Sequence, residues 1–116
     1  MPFGIFKYNV QLNVFAMKLQ IHSIHFDADK KLLDYIEKKT NKLHTYFDRI
    51  TDGEVFLKLE KGEATDNKIV EIKLNVPGGE VFVKEKSRTF EAATDIGVEA
   101  LEKQLKKLKD KALEHR

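Results

Sequence analysis

Cysteine is absent from the 116 residues, which excludes disulfides and thiol chemistry and fits a reducing compartment, the cytoplasm. Serine is scarce: Ser23 and Ser87 are the two, and neither sits in a Gly-x-Ser-x-Gly turn that would present a nucleophile. No apolar run approaches the ~20 residues of a membrane-spanning helix. There is no internal repeat and no low-complexity linker. Arginine is rare, at Arg49, Arg88 and Arg116, so bidentate readout of bases is expected to be weak. The four histidines are scattered, and His22 and His25, three apart on a predicted strand, point to opposite faces, a poor geometry for a metal. Asp27 and Asp29 are read as helix caps rather than as Mg²⁺ ligands. Pro77-Gly78-Gly79 precedes a strand, not a helix, so it is no phosphate cradle. Glu60, Glu63 and Asp66 surround a loop, with nothing to pair them as acid and base. An enzyme is not expected, nor a cofactor, a metal or a small-molecule substrate.

What the chain does have is charge and regular patterning. It is 41% hydrophobic and 34% charged, with a net charge of only +2. That composition implies one soluble, globular domain with a single core. The distribution says more than the total. Residues 17–50 carry seven bases and five acids, residues 51–86 six bases and eight acids, and residues 87–116 seven bases and six acids. The basic excess therefore sits in the two segments that read as helices.

Residues 1–16 are aromatic and nearly uncharged, and they lack the basic start and cleavage site of a signal peptide. They are read as an N-terminal extension outside the domain at 17–116, a start-site artefact. The alternative is an extra edge strand, because Val10, Leu12 and Val14 alternate. Residues 18–26 read as a strand whose phase slips between Ile21 and Ile24, so a bulge or strand end is expected near Ser23. Asp27-Ala-Asp29 then caps a helix from Lys30 to Tyr46. Its core stripe is Leu32, Leu33, Ile36, Thr40 and Leu43, followed by Phe47. Thr51-Asp-Gly53 reads as a turn. Three strands follow, at 54–61, 68–76 and 80–86, each alternating apolar and polar and joined by links short enough for antiparallel hairpins. A last helix starts near Thr89, with Phe90, Gly97, Leu101, Leu105, Leu108 and Ala112 on one stripe. The expected fold is α+β, a βαβββα two-layer sandwich. Its four-stranded antiparallel sheet has one wet face and two helices on the other, like a double-stranded RNA-binding domain.

Each helix opposes its apolar stripe with lysines. Lys31, Lys38 and Lys42 share one face of the first, since offsets of seven and eleven residues return to nearly the same angle. The second carries Lys103-Gln-Leu-Lys-Lys-Leu-Lys-Asp-Lys111, five lysines against one aspartate. Its acids (Glu91, Asp95, Glu99, Glu102) precede its lysines, which suits the helix dipole and explains part of the cluster structurally. Two basic helix faces side by side are the footprint expected for a nucleic-acid backbone. A rival surface is the sheet, where Phe56 and Phe82 have outward parity on what read as neighbouring strands and could stack bases. Packing by the extension or by a neighbouring side chain is the plainer account of both rings.

Four stretches carry a family resemblance. They are Lys42-Leu-His-Thr-Tyr-Phe-Asp-Arg-Ile50, Phe56-Leu-Lys-Leu-Glu-Lys61, Phe90-Glu-Ala-Ala-Thr-Asp95 and Leu101-Glu-Lys-Gln-Leu-Lys-Lys-Leu-Lys-Asp-Lys111. With the element order, they make the chain from Met17 to Arg116 resemble the short ribosome hibernation-promoting factors, also called the protein Y or ribosome-associated inhibitor family. The resemblance implies binding to 16S rRNA of the small ribosomal subunit, in the channel that mRNA and tRNA occupy, with translation blocked in stationary phase or stress. It carries rRNA contacts onto Lys38, Lys42, Arg49, Lys103, Lys106, Lys107, Lys109 and Lys111, to which the helical spacing adds Lys31. A separate ribosome-dimerising factor is the further partner it implies. The family often opens its last helix with Asp-Met-Tyr, where this chain has Thr89-Phe90-Glu91, and often has a base where Ala100 stands. Long-form members carry a C-terminal ribosome-dimerising domain; this chain ends after the last helix and is expected not to dimerise ribosomes unaided. The alternative function is a general double-stranded RNA-binding or structural adaptor domain.

Overall fold

The computed structural model describes residues 5–10, 18–62 and 65–114. Five strands and two helices follow one another as β1 (Ile5–Val10), β2 (Lys18–Ile24), α1 (Lys30–Tyr46), β3 (Asp52–Leu59), β4 (Lys68–Val76), β5 (Gly79–Ser87) and α2 (Phe90–Glu114). From β2 onward this is the expected βαβββα order. The strands form one sheet in the order β1-β2-β3-β4-β5.

Two features of the sheet differ from the sequence reading. The pair β2/β3 is parallel, so the sheet is mixed; α1 is the crossover that such a pair requires. The extension adds a fifth strand, β1, antiparallel to β2 with Ile5 opposite Ile24 and Val10 opposite Leu19. Of the alternation that suggested an edge strand, Leu12 and Val14 lie outside the described residues. β3 also begins earlier than expected: Asp52 and Gly53 are inside it rather than in a turn. A Cβ on Gly53 would lie 2.7 Å from Leu74 Cδ2, so any larger residue there would make the Leu74 side chain shift.

Local signals set the helix ends. Asp29 accepts the Leu32 amide at 2.8 Å and starts α1. Thr89 does the same for the Ala92 amide at 3.0 Å and starts α2. β2 stops at Ile24, where His25 turns to φ 67°, just past the slip in apolar phase near Ser23. Pro77 and Gly78 close the β4–β5 hairpin, with Gly78 at φ 85° supplying the positive φ the turn needs.

The core lies between the helices and one face of the sheet. Leu19, Ile21, Val55, Leu57, Val70, Ile72, Leu74, Val81 and Val83 meet Leu32, Ile36, Leu43, Phe90, Leu101 and Leu105 there. Truncating one of these leucines or isoleucines to alanine would cost about 2–5 kcal/mol. α2 lies against β4 and β5, and α1 lies beside α2. The tight burial of the α2 stripe ends at Leu105; Leu108 is half-buried, and Lys106, Lys107, Lys109, Asp110 and Lys111 are exposed. The lysine-rich end of α2 therefore overhangs the sandwich, whose long dimension is 53 Å.

Candidate nucleic-acid interface

The helices run in the same direction. Tyr35 of α1 donates its hydroxyl to Asp95 of α2 at 2.7 Å, and Lys39 lies 3.6 Å from the same carboxylate. Farther along both axes, Tyr46 meets Glu102. The C-terminal ends of both helices thus fall at one end of the molecule. α2 continues past Glu102 to Glu114, so each C-terminus favours the cations of its own last turn.

All nine basic residues singled out from the sequence are exposed: Lys31, Lys38, Lys42, Arg49, Lys103, Lys106, Lys107, Lys109 and Lys111. None forms an ion pair with a described side chain. The fold gathers some of them and separates others. Lys42, Lys106 and Lys109 converge on the seam between the helices, around Tyr46. Lys107 and Lys111 flank Leu108 in a separate, shallow depression of α2. Arg49 follows the end of α1. Lys31 stands apart, at the other end of α1, eleven residues or roughly 16 Å from Lys42 along the axis.

The opposite face of the molecule is organised differently. On the outer side of the sheet Lys58 meets Glu71 at 2.8 Å, and Lys86 meets Glu60 at 2.9 Å. Lys73 lies 3.7 Å from Glu54 and 3.9 Å from Glu80, and His22 lies 3.0 Å from Glu54. This face neutralises most of its own charge. Its aromatics do not form a platform either. β4 separates the strands of Phe56 and Phe82, which are therefore not neighbours: Phe56 is opposite Glu71, and Phe82 opposite Lys73. Phe56 is occupied, stacked on His22 at 4.7 Å with the rings 11° from parallel.

Sequence reading passed over Tyr46 and Glu102. Among the described residues Tyr46 is one of four large apolar or aromatic side chains left exposed, at 57%. Hydrogen bonding to the Glu102 carboxylate pushes its hydroxyl pKa up. The available signal was an aromatic four residues after Lys42, in the last turn of a helix, but nothing local says which α2 residues would face it.

A family described as Sigma 54 modulation protein / S30EA ribosomal protein matches residues 19–112. The chain belongs to that family. Among its relatives is the ribosome hibernation promoting factor of Pseudomonas putida, 35% identical over 95 residues, 82% of this chain and 89% of that one. The protein of the same name in Escherichia coli K12 is 34% identical over 99 residues, 85% of this chain and all of that one. The N-terminal domain of Thermus thermophilus Protein Y superimposes with a TM-score of 0.64, at 33% identity over 78% of this chain and 93% of that domain. In S30EA terms, the matched span takes in β2 to α2 and both basic helix ends, and it leaves β1 outside. Among the described residues no helix is long and apolar enough to cross a membrane.

Proposed function

We propose that this S30EA-family chain is a ribosome hibernation factor. It binds 16S rRNA in the small-subunit channel for mRNA and tRNA through the basic ends of α1 and α2, and so inhibits translation in stationary phase or stress. The observation that carries the reading is the division of charge over the fold. Cations on the sheet face are mostly held by carboxylates, whereas those at the joint helix ends have no acidic partner among the described side chains. Unpaired lysines are the ones whose charge is available to phosphate, and each phosphate they meet releases condensed counterions. The names of the relatives supply the partner, the ribosome.

The test is co-sedimentation with small subunits, with Lys103→Glu combined with Lys107→Glu. Both side chains are exposed, so the double variant keeps its circular dichroism spectrum and melting point. Wild type is expected to sediment with the subunit at moderate salt and to inhibit translation in a cell-free system. The double variant is expected to lose both properties. Undiminished binding by the variant sinks the basic-face reading, and no association of wild type sinks the ribosomal one.

A further inference from the structure

The seam between the helices is more than a basic surface. A groove of about 390 Å³ is lined by Tyr46, Glu102, Leu105, Lys106, Lys109 and Asp110. A second, of about 260 Å³, continues from it on the other side of Tyr46 and Glu102, past Lys42 and Lys39. A surface that met phosphate alone would gain nothing from carboxylates at its centre, because each would repel the backbone it binds. Here Glu102 and Tyr46 line both grooves, with Lys106, Lys109 and Asp110 in the first and Lys42 in the second. An exposed tyrosine ring stands beside that carboxylate.

We propose that this groove holds one unpaired guanine nucleotide of the bound RNA, its base stacked on Tyr46, its hydrogen-bonding edge on Glu102 and its flanking phosphates on Lys42, Lys106 and Lys109. The volume is of the size that takes a small planar ligand. Single-stranded RNA is read in this way, with unstacked bases laid on aromatic rings and their edges hydrogen-bonded. A carboxylate accepts hydrogen bonds and donates none when ionised. It therefore selects a base edge with adjacent donors. Guanine offers two, N1–H and the N2 amino group, whereas the single N–H of uracil is flanked by two carbonyl acceptors that the carboxylate repels. The Tyr46 hydroxyl, held in its neutral form by Glu102, steadies the ring at the mouth of the groove. The inference rests on the RNA-binding reading above and adds to it a base-selective position.

Two measurements test it. In the first, small-subunit affinity is measured for Tyr46→Ala and Tyr46→Phe. Loss of the ring is expected to weaken binding about ten-fold without changing its salt dependence, since no phosphate contact is lost. Tyr46→Phe keeps the ring and is expected to stay within about three-fold of wild type. Wild-type affinity in Tyr46→Ala overturns the stacking role, as does an equal loss in Tyr46→Phe. If Lys103→Glu with Lys107→Glu still abolishes binding while Tyr46→Ala is silent, the groove fails and the basic-face reading stands. The second measurement needs no ribosome: fluorescein-labelled RNA pentamers UUGUU and UUUUU are titrated at low salt. Wild type is expected to bind UUGUU several-fold more tightly, and Glu102→Gln to lose that preference while retaining UUUUU binding. Equal affinities in wild type, or a preference that survives in Glu102→Gln, overturn the proposal.

Discussion

Tyr35 and Asp95 are sixty positions apart in the chain, and their 2.7 Å hydrogen bond clasps the first turns of α1 to α2. That contact, with burial and the nearby Glu91 carboxylate adding to it, pushes the Tyr35 hydroxyl up from 10.0 to about 12. The proton is therefore held more tightly in the folded protein than in the unfolded chain, and the associated stability is fully present below pH 10 and lost as pH rises toward 12. Tyr35→Phe is expected to cost about 0.5–1 kcal/mol at neutral pH, roughly 2–6 °C in Tm. Thermal melts at several pH values check the sign. The gap between wild type and Tyr35→Phe should be constant up to pH 10 and close above it; a gap that widens there contradicts the assignment. Comparing the two proteins cancels the lysines, which titrate over the same range. None of this was legible in the sequence. The lysines could be recognised as outward-facing because 3.6-residue spacing assigns a side chain to a face without reference to anything else. Tyr35 and Tyr46 owe their roles to which part of α2 lies opposite, and that follows only from the common direction of the helices.

At the scale of elements, α2 does two jobs along one axis. Its first half is bedded on the sheet, and its last turns are a basic overhang. Bedding depends on Gly97, where a Cβ would lie 3.3 Å from Val83 Cγ2 and 3.5 Å from Ile72 Cδ1. Alanine there gains about 1 kcal/mol of helix propensity and gives part of it back to the tight contact, so Gly97→Ala should be near neutral. Gly97→Val adds a branched side chain where there is no room for it and should cost about 1–3 kcal/mol. Urea denaturation reads the difference; a valine variant as stable as wild type would mean that α2 does not approach the sheet this closely. The whole of α1 and the start and buried stripe of α2 were legible, because Asp29, Thr89 and the apolar stripes act within a few residues. Hairpin β4–β5 was legible for the same reason, through Pro77 and Gly78. The parallel pairing of β2 with β3 was not. A strand's alternation says which face is buried but not which strand lies alongside, and here the partner is brought in by the crossover through α1. The pairing of β1 with β2 is non-local in the same sense, and it turns a stretch with little charge into the edge of the sheet.

For the molecule as a whole, what matters is that two surfaces of similar lysine content have different electrostatic fates. On the outer sheet face, cross-strand neighbours supply carboxylates at ladder spacing: Glu71 beside Lys58, Glu54 and Glu80 around Lys73. Toward the end of α2 the lysines outnumber the acids: Asp95, farther back, is occupied by Tyr35 and Lys39, and Glu102 and Asp110 remain among the lysines. The acid-to-base order that the helix dipole favours thus also leaves the overhang with a lysine excess for an external anion. If that surface meets phosphate, the logarithm of small-subunit affinity should fall linearly with the logarithm of KCl concentration at fixed Mg²⁺. The expected slope is about −0.7 to −0.9 per phosphate contact. Removing Lys106 or Lys107 singly as alanine should make the slope shallower by about one. Lys84→Ala, an exposed cation on the outer sheet face, should leave both slope and affinity unchanged. The sheet lysine is the decisive control, because it too is an exposed cation but lies on the other side of the sandwich, opposite Glu71. A slope that responds equally to Lys84 and Lys107 would mean that the protein attracts RNA by net charge alone, and the separation of its two faces would have no part in binding.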